Sequence, residues 1–305
     1  SAWFSKKTSQ RRLARVPCPP LPFKPADPHS VSSQLDEATS SAIIARLENR
    51  AEDAVFQSLF DEYFPDIIGS RRNVLEVGTG TGIVCRRLFH KGYEGRALGV
   101  DQSERFIAAA RRFSAGEGVD SDRISFAVAD ARRLGSDMAA NVGKPPYDFD
   151  AVVMHTLISH VTDPVAVLKA ARDIVQPGTK IYLVDGDYPS LAFHYPRDPA
   201  LGREMQDALV KATFASPEVV RSLPQILAES GWGGSLQVSG KVVSEAGSQF
   251  SYWKTFAETY MPRVKDAGLV DKRLVDEWWK NQLQAAADGG LFAACSYYTV
   301  TAIAN

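Results

Sequence analysis

The fold of this chain is decided by the stretch Asn73-Val74-Leu75-Glu76-Val77-Gly78-Thr79-Gly80-Thr81-Gly82. Val74, Leu75 and Val77 are typical of a buried parallel strand, and three glycines at every second position follow them. Glycines at this spacing let the backbone turn sharply and approach a ligand, because no Cβ stands in the way. A helical pattern begins at Ile83, so the free N–H groups at the start of that helix face the same ligand. The stretch therefore predicts a strand–turn–helix unit that binds a ligand at its turn.

A second apolar run, at residues 97–100, predicts the next strand and brings Asp101 to its carboxyl end. A carboxylate in that place accepts hydrogen bonds from both hydroxyls of a ribose. The dinucleotide fingerprint G-x-G-x-x-G/A needs a small residue at position 83, which is Ile83. Glu76, beside the turn, would repel a pyrophosphate and suits a ligand that carries an amino group. The pattern therefore disfavours a dinucleotide cofactor.

The acid-x-Gly-x-Gly-x-Gly pattern, with a second acid one strand and helix later, resembles the class I S-adenosylmethionine-dependent methyltransferases. The core is similar to that of the ubiquinone and menaquinone methyltransferases, and the resemblance covers residues 70–190. It implies an α/β fold, a doubly wound, mostly parallel seven-stranded sheet with a helical lid. It also implies S-adenosylmethionine as cofactor and S-adenosylhomocysteine as product. The cofactor-binding residues that it implies are Glu76, Gly78, Thr79, Gly80, Gly82, Asp101, Gln102, Phe106, Asp130, Ala131 and His155.

Composition limits the class of protein. The chain has 305 residues, of which 45% are hydrophobic and 23% charged, as in a soluble globular protein. A net charge of −1 gives no case for nucleic acid or an anionic membrane as partner, and no apolar run reaches the roughly 18 residues that span a bilayer. The three cysteines have no metal-ligand spacing, so we expect no metal and a cytoplasmic location. The oligomeric state stays open between monomer and homodimer.

Three segments are predicted along the chain. Residues 1–30 form a basic, proline-rich arm, which is either an extended tail or an organelle transit peptide. Residues 31–68 form an N-terminal lid of two helices, the second closed by Pro65. Residues 69–305 form the methyltransferase core, with helical cap insertions at about 186–225 and 248–288.

Strands and helices alternate between residues 74 and 184, which predicts a parallel sheet. Asp163 followed by Pro164 is a strong signal for the start of a helix. A polar segment at residues 132–146 leads into the fourth strand, and the fifth is expected at residues 180–184. The resemblance implies that the final strand, within residues 291–304, lies beside the fifth.

The fourth predicted strand continues as His155-Thr156-Leu157-Ile158-Ser159-His160. It ends at the edge where open α/β sheets bind ligands. His160 is the first candidate for a general base, because imidazole titrates near neutral pH, and His194 is the second. The alternative for each histidine is a structural one, with the ring satisfied by backbone groups.

Acidic and aromatic side chains expected at the same edge are candidates for contact with the acceptor. They are Phe56, Phe60, Asp187, Tyr188, Tyr252, Trp253 and Trp278. Loop capping is the alternative for Asp187. Adjacent helical residues point about 100° apart, so at most one of Trp278 and Trp279 lines a given pocket.

The sequence therefore predicts methyl transfer to a small, partly hydrophobic acceptor of the secondary-metabolite type. The acceptor atom stays open between oxygen, nitrogen, carbon and sulfur. One alternative is an S-adenosylmethionine-binding enzyme with a non-methylating reaction, such as a cyclisation. The other is a non-catalytic partner subunit, against which the intact cofactor residues Glu76, Gly78, Asp101 and Asp130 argue.

Overall fold

The computed structural model describes residues 37–142 and 147–305. Within these residues seven strands form one sheet: β1 (Asn73–Val77), β2 (Arg96–Asp101), β3 (Ile124–Val128), β4 (Ala151–His155), β5 (Lys180–Phe193), β6 (Gly234–Gly247) and β7 (Leu291–Ile303). Their order is β3-β2-β1-β4-β5-β7-β6. The first five strands are parallel, and β7 runs antiparallel between β5 and β6. The predicted sheet and the final strand beside the fifth are both confirmed.

Helices fill the connections between the strands. They are α1 (Glu37–Glu52), α2 (Ala54–Gln57), α3 (Phe64–Ser70), α4 (Ile83–His90), α5 (Glu104–Gly116), α6 (Leu134–Val142), α7 (Pro164–Arg172), α8 (Pro199–Thr213), α9 (Val219–Glu229), α10 (Tyr252–Asp266) and α11 (Lys272–Ala287). Two short 3₁₀ turns lie at Phe60–Glu62 and Ile158–His160. Asp163 caps α7 by accepting a hydrogen bond from the amide of Ala166, as the sequence predicts.

Two apolar clusters cover the two faces of the sheet. Val74 belongs to one and Leu75 to the other, because successive side chains of a strand point to opposite faces. The cluster of Val74 includes Trp253 of α10 and Trp278 of α11, so the late helices pack onto this face. The cluster of Leu75 includes Leu223 of α9. Both faces are thereby removed from water, as a parallel sheet requires.

Three details of the predicted organisation differ from the structure. Pro65 does not close a helix but lies in the first turn of α3, where a residue without an N–H is tolerated. The cap predicted from residue 186 begins later, because β5 continues to Phe193 and pairs with β7. The polar segment before β4 contains α6. The predicted arm at residues 1–30, and the lid residues 31–36, lie outside the described residues.

The turn formed by residues 78–82, here called the glycine turn, leads into α4. Its last residue, Gly82, has a left-handed conformation with a φ of +78°. A Cβ at this position would lie 2.6 Å from the ring of Phe126 on β3. The turn therefore requires glycine at position 82 for two reasons, the backbone angle and the close approach of an aromatic ring.

We expect Gly82→Ala to lower the free energy of unfolding more than Gly92→Ala does. Gly92 has a similar φ of +87° but nothing within 4 Å of a Cβ, so it reports backbone strain alone, about 1–2 kcal/mol. At Gly82 the clash with Phe126 adds about 1–3 kcal/mol. Urea unfolding of both variants measures the difference, and equal losses would contradict the steric argument.

Candidate active site

Hydrogen bonds hold the glycine turn against the end of β2. The amide of Gly78 donates to the carbonyl of Val100 at 2.8 Å, and the amide of Gly80 donates to Asp101 Oδ2 at 2.9 Å. Gly78 and Gly80 both have positive φ. The turn therefore brings backbone without side chains to the carboxyl edge of the sheet.

A cleft of about 1150 Å³, its open mouth included, lies at this edge. The ends of β1, β2, β3 and β4 form its floor, and Leu47 of α1 and Phe56 of α2 reach into its wall. All the predicted cofactor residues line it except Gly82, which packs against Phe126. The structure thus brings together residues that lie up to 79 positions apart in the sequence, from Glu76 to His155.

Two buried carboxyl groups stand beside the turn. Burial raises the pKa of Glu76 to about 7, although Thr79 Oγ1 donates to its carboxylate at 2.6 Å. Burial also raises the pKa of Asp101 to about 6, against the backbone hydrogen bonds from Ser103 and Gly80. A cationic ligand, or hydroxyls that donate to Asp101, would favour the ionised forms. The turn is therefore an electrostatic fit for a positively charged nucleoside.

Asp130 lies on the same cleft beyond the end of β3. Its Oδ1 accepts the amide of Arg132, and its Oδ2 accepts the Arg132 guanidinium at 2.7 Å. These hydrogen bonds lower the pKa of Asp130, so it is ionised at neutral pH. A carboxylate accepts about four hydrogen bonds in all, which leaves Asp130 able to accept one from an adenine amino group.

His155 ends β4 inside an aromatic enclosure. Its Nδ1 is 2.9 Å from the hydroxyl of Tyr63, and the rings of Phe56 and Phe60 lie 5.1 and 5.2 Å from its own. Burial, and then the charge of Arg50, lower the pKa of His155 to about 3. Its Nε2 is buried and has no hydrogen-bond partner among the described residues. His155 is therefore a neutral imidazole with one polar atom left for a ligand in the cleft.

Thr156, directly after His155, has a φ of +53°. Such an angle is rare for a β-branched residue and costs of order 1–3 kcal/mol. The conformation is held by a hydrogen bond of 2.7 Å from its amide to the carbonyl of Val184 on β5. The backbone thereby leaves the sheet sharply at the cleft, as is common at functional sites.

His160 lies on the 3₁₀ turn that follows. The turn is fixed because the amide of Ser159 donates to the buried Asp185 at 2.9 Å. His160 is itself buried, lines the cleft and lies 5.1 Å from the ring of Phe214. Burial raises the pKa of Asp185, and a positive charge on His160 would lower it. His160 is placed to meet a ligand in the cleft.

His194 is placed elsewhere. It follows the end of β5, is exposed and does not line the cleft. Its amide donates to the carbonyl of Phe292 at 2.9 Å, and its carbonyl accepts from Gln282. The structure does not support His194 as a base, because the longer β5 carries it away from the carboxyl edge.

The predicted acceptor contacts divide into two groups. Phe56 lines the cleft, and Phe60 lies behind it against His155. Tyr252 lines a second, smaller cavity next to the cleft, with its hydroxyl 2.9 Å from that of Tyr297. These three side chains are near the site.

The remaining predicted acceptor contacts do not line the cleft. Asp187 forms an ion pair with Arg221 at 2.9 Å, and the Tyr188 hydroxyl donates to the buried Asp185. Trp253 and Trp278 are fully buried in the core between the late helices and the sheet. Their aromatic surface serves packing, which the sequence pattern alone does not separate from ligand binding.

The sequence prediction missed Arg46, Leu47 and Arg50 of α1, and also Thr156, all of which line the cleft. The two arginines are four residues apart, a spacing that places them on one face of a helix. This four-residue spacing is the sequence signal for the two arginines. It identifies them as cleft residues only when the docking of α1 on the glycine turn is known.

No group of three or more His, Cys, Asp or Glu side chains that suits a metal ion occurs within residues 37–142 and 147–305. Over the same two ranges, no helix combines the length and apolar character needed to cross a bilayer.

Comparisons with known proteins agree with this geometry. A family model described as a methyltransferase domain matches residues 75–181. Ubiquinone biosynthesis O-methyltransferase of Pseudomonas paraeruginosa is 30% identical over 112 residues, which are 37% of this chain and 43% of that protein. The enzyme of the same name from Chromobacterium violaceum is 31% identical over 111 residues, 36% of this chain and 43% of its own. The match thus spans less than half the length of these curated relatives.

Solved structures share the fold. The YcgJ protein of Bacillus subtilis has a TM-score of 0.51 at 13% identity, covering 80% of this chain and 99% of its own. The [4+2]-cyclase SpnF has a TM-score of 0.50 at 18% identity, covering 92% of this chain and 97% of its own. S-adenosylmethionine is the methyl donor of the family that the domain model and the curated relatives share. The domain model and the curated relatives thus support a class I S-adenosylmethionine-dependent methyltransferase domain in this chain, and the shared fold agrees with it.

Proposed function

We propose that this chain transfers a methyl group from S-adenosylmethionine to a small-molecule acceptor. The observation that carries the proposal is one continuous cleft, which joins the glycine turn and Asp101 to His155 and His160. One end of the cleft has the chemistry to hold a cationic nucleoside, and the other has imidazoles and aromatic rings. Leu47 of α1 lies over the glycine turn and narrows the cleft there, which suits a small-molecule acceptor.

The cleft residues fit the cofactor part by part. Asp101 would hold the ribose hydroxyls, and Gln102 lies next to it along the cleft. Phe106 would contact the adenine ring, whose amino group would donate to Asp130. Glu76 suits the amino group of the methionine part, because a positive charge there favours the ionised carboxylate. Thr79, Gly80 and Ala131 add backbone to the same surface.

The residues of the chain have mainly to position the acceptor. The bound cofactor supplies a methyl group that is already activated on a positively charged sulfur. Holding two reactants in a near-attack geometry contributes about 7–11 kcal/mol. Phe56 and the neutral His155 form a wall that excludes water from that geometry.

His160 is proposed as the general base for a hydroxyl or thiol acceptor. It would take the proton that the acceptor loses, and the neighbouring Asp185 would stabilise the resulting imidazolium. His155 is unsuited to this task, since a group with a pKa of about 3 holds a proton poorly at neutral pH. An amine acceptor that binds in its neutral form needs no base for the transfer.

A non-methylating reaction is the second candidate function. The fold is shared with SpnF, which is named as a [4+2]-cyclase, although at 18% identity this likeness concerns the fold alone. The relatives named for ubiquinone biosynthesis favour methyl transfer. An acceptor of the secondary-metabolite type stays a prediction.

The experiment that separates these functions is product analysis. The protein is incubated with S-adenosylmethionine and a panel of phenols, amines and polyketide-like molecules, and both products are followed by mass spectrometry. Equal amounts of S-adenosylhomocysteine and methylated acceptor support the proposal. A transformed acceptor without S-adenosylhomocysteine would favour the cyclase alternative.

Cofactor affinity is expected to depend on the ionised form of Asp101. Asp101→Asn keeps one acceptor oxygen and the side-chain shape, so we expect it to weaken S-adenosylhomocysteine binding by about 1.5–3 kcal/mol. The pKa of Asp101 is about 6 in the free protein, so binding to the unmodified chain should weaken as pH falls through 6. Calorimetry at pH 5 to 8 measures both effects.

The matched control for this variant is Asp122→Asn, which changes an exposed aspartate before β3. It should leave affinity and pH dependence unaltered. The decline below pH 6 should be absent from Asp101→Asn, whereas a decline near pH 7 caused by Glu76 should persist. An unchanged pH profile in Asp101→Asn would contradict the assignment.

If the acceptor is a hydroxyl or thiol, His160→Ala should slow turnover by about 10²–10⁴-fold while cofactor affinity stays the same. His194→Ala is the control, because that histidine is exposed and outside the cleft. Steady-state rates and calorimetry are measured for both variants. Near-full turnover of His160→Ala would make this residue structural and leave alignment as the source of the rate.

A further inference from the structure

Two arginines of α1 have no carboxylate partner. Arg46 and Arg50 line the cleft, yet no Asp or Glu within the described ranges lies within ion-pair distance of either. The Nε atom of each is buried and has no hydrogen-bond partner among the described residues. The acids of the same helix are used on another face, where Glu48 pairs with Arg86 at 2.7 Å. The two cations therefore line the cleft without an ion-pair partner in the part of the chain that the structure describes.

Aromatic rings hold the two guanidinium groups in place. Arg46 lies 4.8 Å from the ring centroid of Tyr260, and Arg50 lies 4.2 Å from that of Phe56. Arg50 Nη2 also lies 3.5 Å from Thr156 Oγ1. Ring faces and a hydroxyl orient a guanidinium without neutralising it, and arginine stays charged at all physiological pH. Both groups are thus poised for an anion.

The same arginines border a second cavity of about 430 Å³, its open mouth included, between α1 and α10. The other side chains that line it are Asn49, Asp53, Ser251, Tyr252, Thr255 and Phe256. Asp53 is already engaged, because it accepts the amide of Val55 and the hydroxyl of Ser251. The cavity therefore offers two guanidinium groups against one hydrogen-bonded carboxylate, together with hydroxyls and aromatic faces, next to the cleft.

We propose that this second cavity binds an anionic group of the acceptor, a carboxylate or a phosphate ester, through Arg46 and Arg50. The inference rests on the proposed methyl transfer. One guanidinium can hold the single carboxylate of the cofactor through two parallel hydrogen bonds, which leaves the other available to an acceptor. Guanidinium groups bind carboxylates and phosphates through two parallel hydrogen bonds. Tyr252 and Phe256 would pack against the apolar part of such an acceptor, which points to an aromatic acid or aryl phosphate.

The test uses the full chain saturated with S-adenosylhomocysteine, so that the cofactor's own carboxylate is already in place. Benzoate, phenyl phosphate and benzamide are titrated by calorimetry. One of the two anions should bind at least about tenfold more tightly than the neutral amide, and the stronger anion identifies the group. Equal binding of all three compounds would overturn the proposal.

Arg46→Gln and Arg50→Gln should each reduce the preference for the anion at least about tenfold. Arg50→Lys keeps the charge without the bidentate fork and should retain part of it. Arg273→Gln is the matched control, since the Arg273 side chain is 96% exposed on α11. Thermal unfolding verifies that each variant is folded before it is titrated.

The outcomes separate this inference from the proposed function. Weaker S-adenosylhomocysteine binding in both glutamine variants, with the anion preference unchanged, would assign both arginines to the cofactor and overturn the inference. Failure of the unmodified chain to bind S-adenosylhomocysteine would contradict the proposed function. The titration is then made on the free protein, where the anion preference is still expected and its absence overturns the inference.

Discussion

The cleft depends on the hydrogen bonds by which Asp101 joins the glycine turn to the second strand. One carboxylate oxygen accepts the amide of Gly80 and the other accepts the amide of Ser103, at the start of α5. These donors offset part of the cost of burying a carboxylate, which shows in a pKa raised only to about 6. A single buried side chain thereby fixes both the glycine turn and the start of α5.

The parallel half of the fold follows from local sequence, and the antiparallel half does not. The second strand and the start of α7 at Asp163 lie where their patterns place them, because periodicity and capping act within a few residues. The extension of β5 to Phe193 is not predictable from local sequence, since Gly186 and Pro189 are typical of a strand end. The strand continues because it pairs with β7, more than a hundred residues later, with a register shift between Asp187 and Ala192.

The two sides of the site differ in the same way. The glycine turn and the strand-end acids are predictable from sequence, because they lie at fixed offsets from two short strands. The acceptor side depends on how separate helices dock. Leu47 comes within 3.3 Å of the Cβ position of Gly80, and this contact brings the arginines of α1 to the cleft. The sequence predicts Trp253 as a ligand contact, but the residue is buried in the core. Residue type alone does not distinguish a packing role from a binding role.

Acidic and basic side chains lie in different parts of the cleft, and this separation limits the charge of the ligand that each part can bind. Glu76 and Asp101 gather negative charge beside the turn, whereas Arg46 and Arg50 keep positive charge on the lid. Between them His155 stays neutral, because burial and the charge of Arg50 both disfavour its protonated form. A cationic methyl donor would be drawn to the acids, and an anionic acceptor to the arginines. The neutral imidazole lines the same cleft and adds no positive charge that would repel a cationic donor.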